Sequence, residues 1–182
     1  MIENEHLSLS SAQFHHFKER AEKGLAQLSD EELYWRLNEA SNSIAMIMKH
    51  ISGNMHSHWK DFLSSDGEKA FRDRDMEFVI TDQDTKKVLM NRWESGWTLL
   101  FDTLESLNED DLQKVVALRK QPMSVLQAIQ TEIAHISYHT GQILFLGKQM
   151  KDHDWTVLSI PKNGSEAFNR KVKMENEQKN TK

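Results

Sequence analysis

Apolar residues recur along most of this chain at intervals of three and four, the period of one face of an α-helix. Phe14, Phe17, Ala21 and Leu25 keep that period in a first segment expected from about Ser11 to Gln27, with Ser10 or Ser11 able to cap it. Ser29-Asp30-Glu31-Glu32 then has the form of a capping box opening a short turn through Leu33, Tyr34 and Trp35. A second long helix is expected from near Asn42 to about Leu63, with a stripe of Ile44, Ile47, Met48, Ile51, Met55 and Trp59. The pattern stops from Ser64 to Phe78 (SSDGEKAFRDRDMEF), a polar, charged stretch expected to form a long exposed connection. It resumes after Thr81 or Asp82 with Val88, Trp93, Trp97, Leu100, Phe101 and Leu104, a third helix reaching about Leu107. Asn108 to Asp111 marks a second short turn. Gln121-Pro122 is placed to open a fourth helix running to about Met150, with Pro122 in the first turn, where its missing N–H costs nothing. From Asp152 on, Trp155, Val157, Ile160 and Phe168 are expected to pack across the bundle end, and the polar tail after Asn169 to fray.

This is the pattern of an all-α fold, a four-helix bundle with a long connection between helices two and three. The expected organisation is a single domain over 1–168 and a flexible tail over 169–182. Composition narrows the function. With 23 basic and 28 acidic residues, the formal net charge of −5 argues against a grip on nucleic-acid phosphates. The absence of cysteine excludes disulfides, thiolate-held zinc, iron–sulfur clusters and a cysteine nucleophile. The acidic first residues carry no apolar signal core, and no apolar run nears the roughly 20 residues of a membrane span. A cytoplasmic protein without a membrane partner is therefore expected. No glycine-rich phosphate loop is present.

Chemistry concentrates in the nine histidines. His135 and His139, in EIAHISYHTGQILFLGK, stand one helical turn apart on one face, where two imidazoles can share a cation. A third ligand should come from a facing helix, and His50, among Ile47, Ile51 and Met55, is the candidate. His56 and His58 are weaker candidates near a helix end; His6, His15, His16 and His153 receive no role. Glu132, three residues before His135, can accept the second ring N–H of a ligand or take a proton from a bound nucleophile. Asn54, one turn after His50, can line the same cavity and bind substrate. Plainer readings stand beside these: a chance HxxxH spacing, a hydrogen-bonded core histidine, a solvated glutamate, and core packing for Trp93, Trp97 and Phe101. Ile136 occupies the place of the glutamate in an H-E-x-x-H protease motif, so no peptidase is indicated.

MKHISGNMHSHW together with EIAHISYHTGQILFLGK resembles the DinB superfamily, and the likeness extends over nearly the whole chain, including SDEELYWRLNEASNS and SIPKNGSEAFN. The resemblance implies a four-helix bundle holding a divalent metal on one histidine of helix two and an HxxxH pair of helix four, here His50, His135 and His139. It also implies kinship with bundles that act as bacillithiol- or mycothiol-dependent S-transferases or isomerases, and frequent homodimers. The implied cofactor is a divalent cation, zinc or nickel foremost, iron or manganese next, with a low-molecular-weight thiol as small-molecule partner. A metal-dependent hydrolase would use the same ligands, and a non-catalytic, ligand-binding or dimerising bundle with a structural or vestigial site is the competing class. A di-iron carboxylate site is disfavoured, because Glu132-x-x-His135 has no convincing second copy.

Overall fold

Three of the long helices start where a hydroxyl side chain meets a free backbone N–H. Ser43 accepts from Met46 N, Thr85 from Val88 N, and Ser124 from Gln127 N while Gln127 returns the bond to Ser124 N. The computed structural model describes residues 2–179. Its helices are α1 (Ile2–Leu25), α2 (Ile44–Trp59), α3 (Lys86–Ser106), α4 (Val125–Lys151) and α5 (Ser165–Lys179), joined by short 3-10 turns at Glu31–Tyr34, Asp75–Phe78, Glu109–Gln113 and Asp152–Asp154. Two strands, β1 (Val115–Leu118) and β2 (Gln121–Ser124), pair antiparallel just before α4.

The fold is mostly helical with this one small sheet. α2 packs most extensively on α3 and α1 on α4, while α2 also meets α4 and α1 meets α3. Between them lies one continuous apolar cluster in which Phe14, Trp59, Trp93 and Trp97 are almost wholly buried. Gly96 allows the close α2–α3 approach, since a Cβ there would lie 3.3 Å from the Met55 sulfur. The expected capping box is present at the first short turn, where Ser29 N donates to Glu32 and Glu32 N to Ser29 Oγ, and the second short turn has one too, formed by Asn108 and Asp111. Among the described residues no helix is long and apolar enough to cross a membrane.

Several boundaries differ from the sequence expectation. α1 begins at Ile2 rather than Ser11, because Leu7 and Ser10 continue the buried stripe of Phe14 and Phe17. α2 stops at Trp59: Asp61 turns to a positive φ of 51°, and its carbonyl collects the N–H groups of Ser64 and Ser65. Pro122 lies in β2 opposite Ala117, not in the first turn of α4. The hairpin turns through Arg119 and Lys120, both at positive φ (53° and 62°), and the Asp66 carboxylate holds it by accepting from both of their backbone N–H groups at 2.8 and 2.7 Å. At the other end Trp155 alone of the four apolar residues expected there packs against the helices, while Thr156 and Leu158 bond Gln27 and Arg20 of α1. The Trp155 ring lies against Gly24 and Gly147, where a Cβ would come within 3.5 and 2.9 Å of it, whereas Val157, Ile160 and Phe168 are exposed. The stretch expected to fray is helical over Ser165–Lys179, with Glu166–Arg170 and Lys171–Glu175 pairs at i, i+4 spacing.

One buried carboxylate ties the entry of α3 to α2. Asp84 accepts from Lys49 Nζ at 2.8 Å and from Thr81 N and Oγ1 at 2.9 and 3.0 Å. Burial raises its pKa, but these donors outweigh burial and hold it below 3.8. Its stabilising effect is therefore complete above that pH and disappears as pH falls through the depressed value. Asp84→Asn should cost about 1–3 kcal/mol near neutral pH, and denaturant titrations of both proteins should converge as the pH falls through the depressed pKa of Asp84.

Candidate metal centre

α2 and α4 run antiparallel along a shared seam, which brings His58 to Glu132 at one end and Ile47 to the level of Gln142 at the other. Midway, His50 from α2 meets His135 and His139 from α4. The two α4 imidazoles share a face because they are one turn apart, and their ring centroids are 4.7 Å apart. The His50 ring lies 5.2 Å from that of His135 and 5.0 Å from that of His139. One ligand atom from each of the three falls within 4.8 Å of the others, so the structure brings together all three histidines singled out in the sequence.

Each ring is oriented by an oxygen on its far side. His50 Nδ1 lies 2.8 Å from Glu77 Oε2, His135 Nδ1 3.2 Å from Glu132 Oε1, and His139 Nδ1 2.7 Å from Gln142 Oε1. Ionised carboxylates and an amide oxygen can only accept, so each Nδ1 carries the proton and each Nε2 keeps its lone pair. His50 Nε2 and His135 Nε2 then face each other at 3.1 Å, and His139 Nε2 is buried without a hydrogen-bond partner. Lone pairs this close repel unless a cation lies among them. Burial and the neighbouring His135 imidazole push the His139 pKa down to about 4, so the buried Nε2 of His139 is unprotonated at neutral pH. A divalent cation fits this donor set: three neutral imidazole nitrogens, preset in tautomer, with an outer carboxylate or amide behind each.

The outer groups are themselves held. Glu77 is supplied by the 3-10 turn in the stretch expected to be an exposed connection, yet it is 5% exposed. Arg72 grips it with two contacts, Nε–Oε1 at 2.8 Å and Nη2–Oε2 at 3.1 Å. Burial pushes the Glu77 carboxyl up, but His50 and Arg72 outweigh it and keep the group ionised. Gly53 makes room, since a Cβ there would overlap the Glu77 carboxylate. Glu132 is equally buried; desolvation raises its pKa, and the His135 and His58 imidazoles bring it down to about 2. With its amide nitrogen turned toward Glu132, Asn54 donates to both carboxylate oxygens at 3.0 Å. The structure thus places Asn54 behind His135, packed on Glu132.

The remaining histidines lie elsewhere. His56 bonds Ser52 O and Ser95 Oγ, and His58 reaches Glu132 at 3.7 Å and Arg72 at 3.4 Å, outside the cluster of ligand atoms. His15 stacks on Phe101, and His153 is exposed. Sequence reasoning missed Gln142, although it stands three residues after His139, as Glu132 stands three before His135. It also missed Arg72 and Glu77, for which the only local sign was a glycine inside α2.

A family model described as "Protein of unknown function (DUF1572)" matches residues 1–164. No curated protein matches the chain. Among solved structures, a conserved protein of Enterococcus faecalis is similar in fold, with a TM-score of 0.60 at 18% identity, covering 78% of this chain and 94% of that one.

Gly53→Ala tests the close approach of Glu77. Alanine should gain about 1 kcal/mol of helix propensity, yet the crowded carboxylate should make the net change a loss of about 1–3 kcal/mol. A thermal melt showing a gain instead would mean that Glu77 is free to move away.

Proposed function

The chain belongs to the DUF1572 family of proteins of unknown function, and we propose that it is a divalent-metal-dependent enzyme whose ligands are His50, His135 and His139. The observation that carries this reading is the convergence of three Nε2 lone pairs whose Nδ1 partners are all acceptors. The pairwise packing of four long helices and the order of the two histidine segments support placing it among DinB-like four-helix bundles.

Held by His50, His135 and His139, a divalent cation would supply Lewis acidity that stabilises a bound thiol as its thiolate at neutral pH. The protein's own groups do the rest. Glu77 and Glu132 fix two ligand rings and offset the positive charge from behind, and Gln142 fixes the third. Both Glu132 oxygens are already engaged, by His135 Nδ1 and by the Asn54 amide, so Glu132 acts by positioning His135. Asn54 holds Glu132 in turn and reaches substrate only through that contact. With no cysteine in the chain, an external low-molecular-weight thiol meets no internal competitor for the metal. The reaction class we assign is transfer of such a thiol to an electrophile, in a cytoplasmic homodimer that binds neither nucleic acid nor membrane. The cation is zinc or nickel before iron or manganese.

Elemental analysis of untagged protein, purified without chelator or a nickel column, should find about one divalent ion per chain. The His135→Ala/His139→Ala double variant should hold little. Failure to take up zinc, nickel, manganese or iron from their salts would overturn the metal reading. Given a metal, chelation should abolish conjugation of a cellular thiol to an aryl halide electrophile; no conjugation across a broad electrophile panel would remove the transferase assignment and leave the metal site standing.

A further inference from the structure

The α2–α4 seam continues past the three histidines in both directions, and its two ends differ. Toward Glu132 and His58 it closes under the β-hairpin in a small cavity of about 40 Å³, walled by Trp59, Phe62 and Leu118. Toward the start of α2 it opens into a groove of about 280 Å³. Ile47 and Leu146 form the floor of that groove, and Ser41, Asn42, Gln142 and Phe145 its polar and aromatic walls. Gln142 belongs to both places: it lines the groove, and its Oε1 accepts from the Nδ1 of His139.

Three further observations mark this as a place for a ligand. None of the residues lining the groove is ionisable, in a chain where charged residues make up 28%. Phe145 and Tyr138, on the same face of α4, are 62% and 54% exposed, and the Tyr138 ring lies 4.3 Å from that of His139. Between them stands Gly141, where an added Cβ would meet nothing within 4 Å. A glycine inside a helix costs about 1 kcal/mol against alanine, and no neighbour in the fold requires this one. Gly141 and Tyr138 stand beside the groove without lining it, and the bare backbone places no side chain between the two aromatic rings.

We propose that this groove receives an uncharged arm of the substrate, bearing amide or hydroxyl groups, and so directs the substrate's reactive end toward the three histidines. The inference rests on the metal reading above. Asn42, Ser41 and Gln142 offer neutral donors and acceptors for such groups, Phe145 and the Gly141 strip offer an apolar flank, and nothing in the lining compensates a carboxylate or ammonium. The competing location for an arm is the Phe78 side of the site. There the Arg74 guanidinium lies 5.1 Å from the Phe78 ring centroid, and that ring lies 5.0 Å from the ring of His50. Arg74 would favour an anionic arm, so the charge of the arm decides between the two.

The test uses zinc-loaded full-length protein and three hydroxamates as metal-seeking probes: acetohydroxamic acid, a homologue with a short neutral amide arm, and one of equal length ending in carboxylate. Zinc binding is first measured alone by calorimetry. The amide-armed probe should bind at least about tenfold more tightly than acetohydroxamic acid, and the carboxylate-armed one should show no such gain. Asn42→Ala and Phe145→Ala, neither of which touches a ligand histidine, should each erase most of the gain while leaving zinc affinity unchanged. Gly141→Val should do the same by filling the strip. Zinc binding with no preference for the amide arm would overturn this inference alone, as would a preference that survives all three variants. A carboxylate preference lost in Arg74→Ala would overturn it and move the arm to the Phe78 side. No zinc binding at all would remove the metal reading and this inference with it.

Discussion

The centre depends on where three protons sit. Glu77, Glu132 and Gln142 present acceptor oxygens to the Nδ1 atoms of His50, His135 and His139, and this places three unprotonated Nε2 atoms against one another. Were any of these acceptors a donor, the corresponding ring would turn over or change tautomer, and its Nε2 would carry a hydrogen into the cluster. Two of the acceptors are buried carboxylates, which are costly to desolvate without partners. Arg72 answers for Glu77, and Asn54 and His58 answer for Glu132. The polar groups form a connected set inside an apolar helical core, and each makes its neighbour tolerable.

That set explains why the connection after α2 folds back as it does. Arg72 and Glu77 lie in a charged stretch with little apolar content of its own, yet the pair closes over α2 at Gly53 and reaches His50. The first part of the same stretch is pinned separately. Gly67 N donates to Ala117 O, Ser57 Oγ donates to Gly67 O, and Asp66 holds the hairpin turn at Arg119 and Lys120. The hairpin and the connection thus brace each other beside α2. The seam between α2 and α4 is shut at that end and open at the other, where the neutral groove lies.

The helices were legible because their signals are local. The 3–4 spacing of Ile44 through Trp59 and of Trp93 through Leu104, and the capping chemistry at Ser29, act within one or two turns of the residues concerned. The hairpin was not legible: Arg119-Lys120 carries none of the Asn-Gly or Asp-Gly signal of a tight turn, and its positive φ angles are held by Asp66, more than fifty residues earlier. Pro122 was for the same reason assigned to a helix start it does not make. The tail misled in the opposite sense, since its polarity hid a helix supported by i, i+4 pairs.

Within the centre the division is the same. His135 and His139 had to share a face because helix geometry alone puts residues four apart together, and Glu132 and Gln142 follow from the same rule applied three residues to either side. His50 was within reach of sequence reasoning through its place beside an apolar stripe, although its ring orientation was not. Only the tertiary structure decided that Glu77 and Arg72 complete the set, that Asn54 turns to Glu132, and which end of the seam stays open. Those outcomes depend on contacts between segments far apart in the chain, which no periodicity encodes. What the sequence by itself determined was the buried stripes of the long helices and the shared face of Glu132, His135 and His139, because helix geometry makes residues three and four apart neighbours.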